Sequence, residues 1–191
     1  LWTILRFATG QNKVKKKFQN FYIDFMETTL LEVIKKNIRL QLDAGAEIVM
    51  MFDSGISDLD NNFFKGKYHL LLKNISNSFP NKVGYYARGK TFNEISFLSD
   101  LPFAGLGVDN GVNMQHIFLN SKFGFIQGNF DEKNLLLDTK ELENELHIFS
   151  ESMKNMDNLD GWICGLGHGI NKATPEKNVH VFIETIRKKF S

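Results

Sequence analysis

The residues best placed to do chemistry sit at the ends of short apolar runs. Near the C-terminus, Gly161-Trp-Ile-Cys-Gly-Leu-Gly-His168-Gly169-Ile170 sets one histidine among closely spaced glycines. Imidazole titrates near neutral pH, so a histidine held on a loop can bind an anion or pass a proton. The run Trp162-Ile163-Cys164 reads as a strand. The glycines fit a backbone that takes positive φ or comes close to a ligand. A tight βα turn with an incidental surface histidine fits the same residues. Other apolar runs end in Asp53-Ser54, Arg88, Asp109 and Asn129–Asp131. Ser54 offers a hydroxyl donor. Asp53 can be a base or the cap of the next turn, and Asp131 can equally be a turn residue.

Several site chemistries lack their pattern. Gly165-Leu-Gly-His-Gly169 is G-x-G-x-G, and the strand and acidic residue that a dinucleotide site needs do not follow it. Cys164 and His168 are the only near pair of metal-ligand type, and the chain has a single cysteine, so no metal is expected. A serine triad from Ser54 and His168 is conceivable, but G-x-S-x-G is absent. His69, His116, His147 and His180 lie in helical or connector segments and read as ordinary surface or half-buried residues.

Those strand ends need elements to position them. Residues 1–8 read as the end of a strand, entered as though mid-structure, with a turn at Thr9–Asn12. From Val14 to Asp43 apolar residues recur at helical spacing, Phe18, Phe21, Tyr22 and Phe25, then Leu30, Ile34, Ile38 and Leu42. Gly45 stands where a helix C-cap belongs. Glu47–Phe52 reads as a strand buried on both faces, and further strands are expected at Lys82–Ala87, Gly105–Val108, Phe123–Ile126 and Trp162–Cys164. Helices are expected at 62–78, 92–98 and 139–156, with a short connector over 112–119. A last helix should start near Pro175, with Thr174 as N-cap. Strands alternating with helices imply parallel βαβ units in one domain spanning 1–191. A (β/α)8 barrel and an open doubly wound sheet both place the polar strand ends on one edge. A whole barrel takes about 250 residues, so five units would be only its latter part.

Bulk composition narrows the partners. The 191 residues are 42% hydrophobic with a formal net charge of +1, which gives no reason to expect nucleic acid or an anionic membrane. The basic run Lys13–Lys17 reads as a solvated helix start. One cysteine excludes an internal disulfide and fits a reducing, cytoplasmic setting. No apolar run approaches the length of a membrane span.

Taken in order, the strand ends resemble those of uroporphyrinogen decarboxylases. Gln127-Gly-Asn-Phe-Asp131 is similar to that family's L-Q-G-N-L-D-P. Gly165-Leu-Gly-His-Gly-Ile170 with Thr174-Pro-Glu176 resembles N-L-G-H-G-I…T-P-E. Leu42-Asp-Ala-Gly-Ala46 with Phe52-Asp-Ser54 resembles A-G-A…F-D-S, and Leu1-Trp-Thr-Ile-Leu5 resembles P-W-T-L. Tyr86-Ala-Arg-Gly89 and Gly107-Val-Asp109 fall in order between them.

The resemblance implies an α/β fold of parallel (β/α)8 TIM-barrel type, of which this chain carries roughly the last five βα units. It implies a carboxy-lyase without metal or organic cofactor, commonly a homodimer, acting on a tetrapyrrole. Such enzymes remove the four acetate carboxyl groups of uroporphyrinogen III, giving coproporphyrinogen III for haem synthesis. Carried over by position, Ser54, His168 and Phe7 are substrate-contact residues, and His168 is also the catalytic candidate for proton transfer.

This sequence departs from the family at several points. Phe7 replaces a tyrosine and loses its hydroxyl, Leu1 and Glu132 stand where the family has proline, and the R-Q-A-G-R segment and key aspartate are not in this chain. Two alternatives follow: a truncated, non-catalytic fragment, inactive by itself on uroporphyrinogen, or a zinc-dependent methyltransferase of the same superfamily, for which Cys164 lacks a partner cysteine.

Overall fold

The computed structural model describes residues 2–9, 19–120 and 122–191. They fall into two compact units, Leu1–Leu106 with Lys122–Gly124, and Gly107–Ser121 with Phe125–Ser191.

The first unit opens with α1, Trp2–Thr9. The strand end expected over residues 1–8 is therefore helical from Trp2 onward, Leu1 lying outside the described residues. Trp2 and Leu5 are buried on it, and their three-residue spacing puts them on one helical face. The long helix expected from Val14 is described from residue 19 onward; the basic run 13–17 and Phe18 lie outside the described residues. It consists of α2 (Gln19–Phe25), a π-helical turn at Met26–Leu30 and α3 (Leu31–Asp43). A π turn inserts one residue per turn and rotates the apolar stripe. The buried positions thus run Tyr22, Met26, Leu30, Leu31 and Ile38, while Phe25, expected in the core, is 38% exposed. Gly45 ends the helix as expected: it donates to Leu42 O and Ala46 to Gln41 O, the paired bonds of a Schellman motif, with φ at +102°.

Strand β1 (Val49–Asp53) pairs in parallel with β2 (Val83–Ala87), from Val49 opposite Val83 to Asp53 opposite Ala87. Between them lie α4 (Asn61–Phe63), a second π turn at Phe64–Tyr68 and α5 (His69–Ser78). Every residue of β2 is buried, as for an inner strand, with β1 on one side and β3 (Gly105–Gly107) on the other. After β2 come α6 (Phe92–Ile95) and a 3₁₀ turn at Ser96–Asp100.

The second unit holds α7 (Met114–Asn120), β4 (Phe125–Gln127), a 3₁₀ turn at Glu132–Leu136, α8 (Thr139–Lys154), β5 (Trp162–Ile163) and α9 (Glu176–Phe190). β4 and β5 are parallel, with Ile126 opposite Trp162. Phe130, Leu135, Leu142 and Leu146 form the core, backed by Phe149 and Phe182. A chain of rings, Phe182–Phe130–Phe149–Trp162–Phe190, crosses from α9 through α8 to β5 and back, with centroids 5.0–6.1 Å apart. Such contacts add to the burial of apolar area. Thr174 is not the N-cap of α9. Pro175 holds that position without a side-chain bond, and the buried Thr174 hydroxyl has no partner among the described residues. The buried Asn178 anchors α9 instead, donating to Leu135 O and Leu137 O at 2.9 Å each. Among the described residues no helix is long and apolar enough to cross a membrane.

Candidate functional site

In the first unit the loop beyond β1 is built around Asp53, which ends the strand and is 1% exposed. It is neither a free base nor the cap of the following turn. Its Oδ1 accepts from the Thr3 backbone N–H at 3.0 Å and the Thr3 hydroxyl at 2.6 Å. Its Oδ2 accepts from the Tyr68 hydroxyl and, at 3.2 Å, from the Tyr85 hydroxyl. The Tyr68 oxygen accepts in turn from Trp2 N–H at 3.0 Å. Burial, and then the charge of Asp53, push both tyrosine hydroxyls well above their usual pKa. They remain protonated donors.

Ser54 follows directly and is half-buried. Its other neighbour, Gly55, donates its N–H to the Thr3 hydroxyl at 2.8 Å and accepts from Arg6 Nη1 at 3.4 Å. Phe7, one helical turn beyond Thr3, is 83% exposed. The first unit thus holds two of the three contact positions that the resemblance assigned.

The loop after β2 is fastened by Lys90, a residue only 4% exposed. Its ammonium donates to Leu59 O at 3.1 Å and Asn61 Oδ1 at 2.6 Å, lies 3.5 Å from Glu94 and sits 5.2 Å above the Phe64 ring. Glu94 also closes a capping box with Thr91. Partial burial works against its charge, but hydrogen bonds from Thr91 and Asn61 and the Lys90 charge bring its pKa down to about 2. Arg88, two residues before Lys90, is exposed.

The second unit contains His168, half-buried, with Nδ1 3.3 Å from the carbonyl of Gly169. The surrounding loops are held by backbone contact. A Cβ on Gly167 would lie 2.6 Å from Asn110 N, and one on Gly128, where φ is +139°, would lie 2.5 Å from Val108 O. The glycines beside His168 were expected to leave room for positive φ or a ligand, yet none of the three has positive φ. Gly167 is required by the Asp109–Asn110 backbone, Gly165 would meet Gln127 at an ordinary 3.6 Å, and only Gly169 faces open space. Asn129 is buried and donates to Asp109 O at 2.9 Å and Val112 O at 2.7 Å. Asp109 Oδ1 accepts from Gly111 N–H, and Asp131 from Lys133 N–H, both as turn residues.

A cleft of about 730 Å³ lies between α7 and α8, with Asn113, Asn134, Glu145 and Ser152 among its lining residues. Among the described residues it is lined by carboxylates and amides but by no lysine, arginine or histidine, which suits a polycarboxylate poorly. Burial pushes the half-buried Cys164 thiol up to about 12. Among the described residues no three His, Cys, Asp or Glu side chains converge as a metal site would need.

Sequence reasoning missed Thr3, Tyr68, Tyr85 and Lys90. Tyr68 and Tyr85 lie 15 and 32 residues from Asp53, and no spacing links them. The one available signal was strand alternation: Tyr85 pairs with Met51, two residues before Asp53, and so shares its face.

Comparison with known proteins agrees with this architecture. A uroporphyrinogen decarboxylase from Rickettsia bellii is 28% identical over 201 aligned positions, covering 98% of this chain and 58% of the relative. One from Orientia tsutsugamushi is 25% identical over 205 positions, covering 100% of this chain and 58% of the relative. The chain therefore spans little more than half the length of these relatives. Among solved structures, a methyltransferase from Methanosarcina mazei superposes with a TM-score of 0.64 at 19% identity, covering 84% of this chain and 48% of that one, a likeness of fold alone. The fold is α/β with parallel strands, of (β/α)8-barrel type. The family model for uroporphyrinogen decarboxylase (URO-D) matches residues 20–189, and the chain belongs to that family.

Proposed function

We propose that this chain acts in the decarboxylation of uroporphyrinogen III to coproporphyrinogen III, with Ser54, His168 and Phe7 contacting the tetrapyrrole. The observation that carries this reading is the family match over residues 20–189. Its support in the structure is that Ser54 and His168 each lie on a loop leaving the C-terminal end of a strand, the end where ligands bind in parallel α/β folds.

The chemistry asks for few protein groups. Each acetate hangs from an electron-rich pyrrole. Protonating the ring carbon creates a cation. The bond to the carboxylate then breaks, its electron pair flows into the ring and carbon dioxide leaves. Protonation of the resulting exocyclic carbon gives the methyl group, and loss of the proton first added to the ring carbon restores the pyrrole, so each turnover takes up one proton net. In this scheme the Ser54 hydroxyl donates to a substrate carboxylate. The His168 imidazole binds a second carboxylate or carries the proton. The exposed Phe7 ring offers an apolar face without the hydroxyl that relatives carry there. A homodimer in the cytoplasm is the setting this reading expects.

Anaerobic equilibrium binding of uroporphyrinogen III to the 191-residue protein tests it. Ser54→Ala and His168→Ala should each weaken binding about tenfold, the loss of one hydrogen bond to a charged group. Absence of binding by the native chain, or affinity unchanged by both substitutions, overturns the reading. Stoichiometric zinc by metal analysis would favour the methyltransferase alternative instead.

A further inference from the structure

Ser54 lies between two residues that are both fastened to α1. On one side, the Asp53 carboxylate takes hydrogen bonds from the Thr3 backbone and hydroxyl. On the other, Gly55 N–H is bonded to the same Thr3 hydroxyl, and Gly55 O to Arg6. Thr3 and Phe7 are four apart on α1 and therefore on one face. The second carboxylate oxygen is held from below by Tyr68, on the π turn before α5, and by Tyr85 on β2, while Tyr68 reaches back to Trp2. We propose that Asp53 is a positioning residue: its buried carboxylate fixes the Ser54 peptide against the first turn of α1 and so sets Ser54 relative to Phe7.

This inference rests on the proposed function for what Ser54 and Phe7 contact, but its geometry stands apart from it. Only a carboxylate fits the four bonds described, because both of its oxygens accept and neither donates. An asparagine of the same shape would turn an NH₂ group toward the bonds that Thr3 or the tyrosines now make. The two hydroxyls at Oδ2 keep their protons through the physiological range, since burial and the adjacent charge oppose ionisation. A buried network of this kind specifies one arrangement when every member is satisfied.

The test uses the 191-residue protein in two measurements. Amide hydrogen exchange reads the loop directly. Asp53→Asn, and Thr3→Val as the variant that leaves the carboxylate in place, should speed exchange at Gly55 at least about tenfold more than at Leu72 of α5 and Ile38 of α3. Uniform acceleration everywhere, or no change at Gly55, overturns the proposal. The second measurement is a double-mutant cycle on uroporphyrinogen III binding. Asp53→Asn should weaken binding about tenfold beside native Ser54 and less than about twofold beside Ser54→Ala, because it acts through that residue. Equal losses in both backgrounds overturn the positioning role. Local acceleration at Gly55 in a native chain that binds no uroporphyrinogen would sink the proposed function and leave the positioning of Ser54 intact.

Discussion

The two loop regions that carry the candidate contact residues are held by opposite means. Around Ser54 the restraint is a side-chain network converging on one buried carboxylate, from Thr3, Tyr68 and Tyr85. Around His168 it is backbone against backbone, with Gly167 and Gly128 pressed where no Cβ fits, and Asn129 bonding two carbonyls. A network of hydroxyls and a carboxylate tolerates changes of volume but not of hydrogen-bonding capacity. Close backbone approach tolerates neither a methyl group nor a change of turn. The difference predicts which substitutions each region resists.

The largest effect should come from emptying the network. Asp53→Ala leaves buried donors on Thr3, Tyr68 and Tyr85 without their acceptor, and should cost about 3–5 kcal/mol in urea unfolding, at 1–3 kcal/mol for each group stranded. A cost below about 1 kcal/mol would mean that water replaces the carboxylate and that the first loop is no better fixed than an ordinary turn.

Gly167→Ala comes next, at about 1–3 kcal/mol, because the added methyl must displace the Asn110 backbone. Gly169→Ala, two residues on and facing open space, should stay within about 0.5 kcal/mol. If the two alanine variants melt alike, the second loop is not held by steric contact and the contrast between the regions fails. Asn129→Ala should cost about 1–2 kcal/mol by removing the donor to Asp109 O and Val112 O, measured by the same unfolding curves.

The last effect depends on pH and belongs to the first unit. Glu94 is held at about 2 against an ordinary 4.5, so its contribution is fully present above pH 4.5 and is lost as the pH falls toward 2. Native protein and Glu94→Gln should therefore differ in urea midpoint at pH 7 and converge at low pH. A difference that persists at low pH would assign the effect to the capping geometry alone.

Much of the organisation was legible in the chain. Short apolar runs ending in polar residues mark parallel strands, because a strand covered on both faces must be apolar until it reaches the rim. All five strands among the described residues were found in this way, each within two residues of its observed limits. The Gly45 cap was legible because the paired bonds that close a helix favour glycine there. The first eight residues misled: Leu1–Leu5 is an apolar run too short for its period to separate strand from helix. The long helix misled at Phe25, because a π turn changes the phase of the stripe and no residue type marks one.

The sequence by itself determined the alternation of strands and helices, the place of Ser54 and His168 after the ends of strands, and the motifs that place the chain in its family. These are local properties, written in periodicity and in residues adjacent along the chain. Only the tertiary structure decided what Asp53 does and why Gly167 is glycine. Both answers depend on groups brought together from distant positions, a hydroxyl from Tyr85 and a backbone from Asn110. A buried carboxylate takes its role from the donors that surround it, and a glycine from the atom a side chain would strike, and neither is a property of neighbouring sequence.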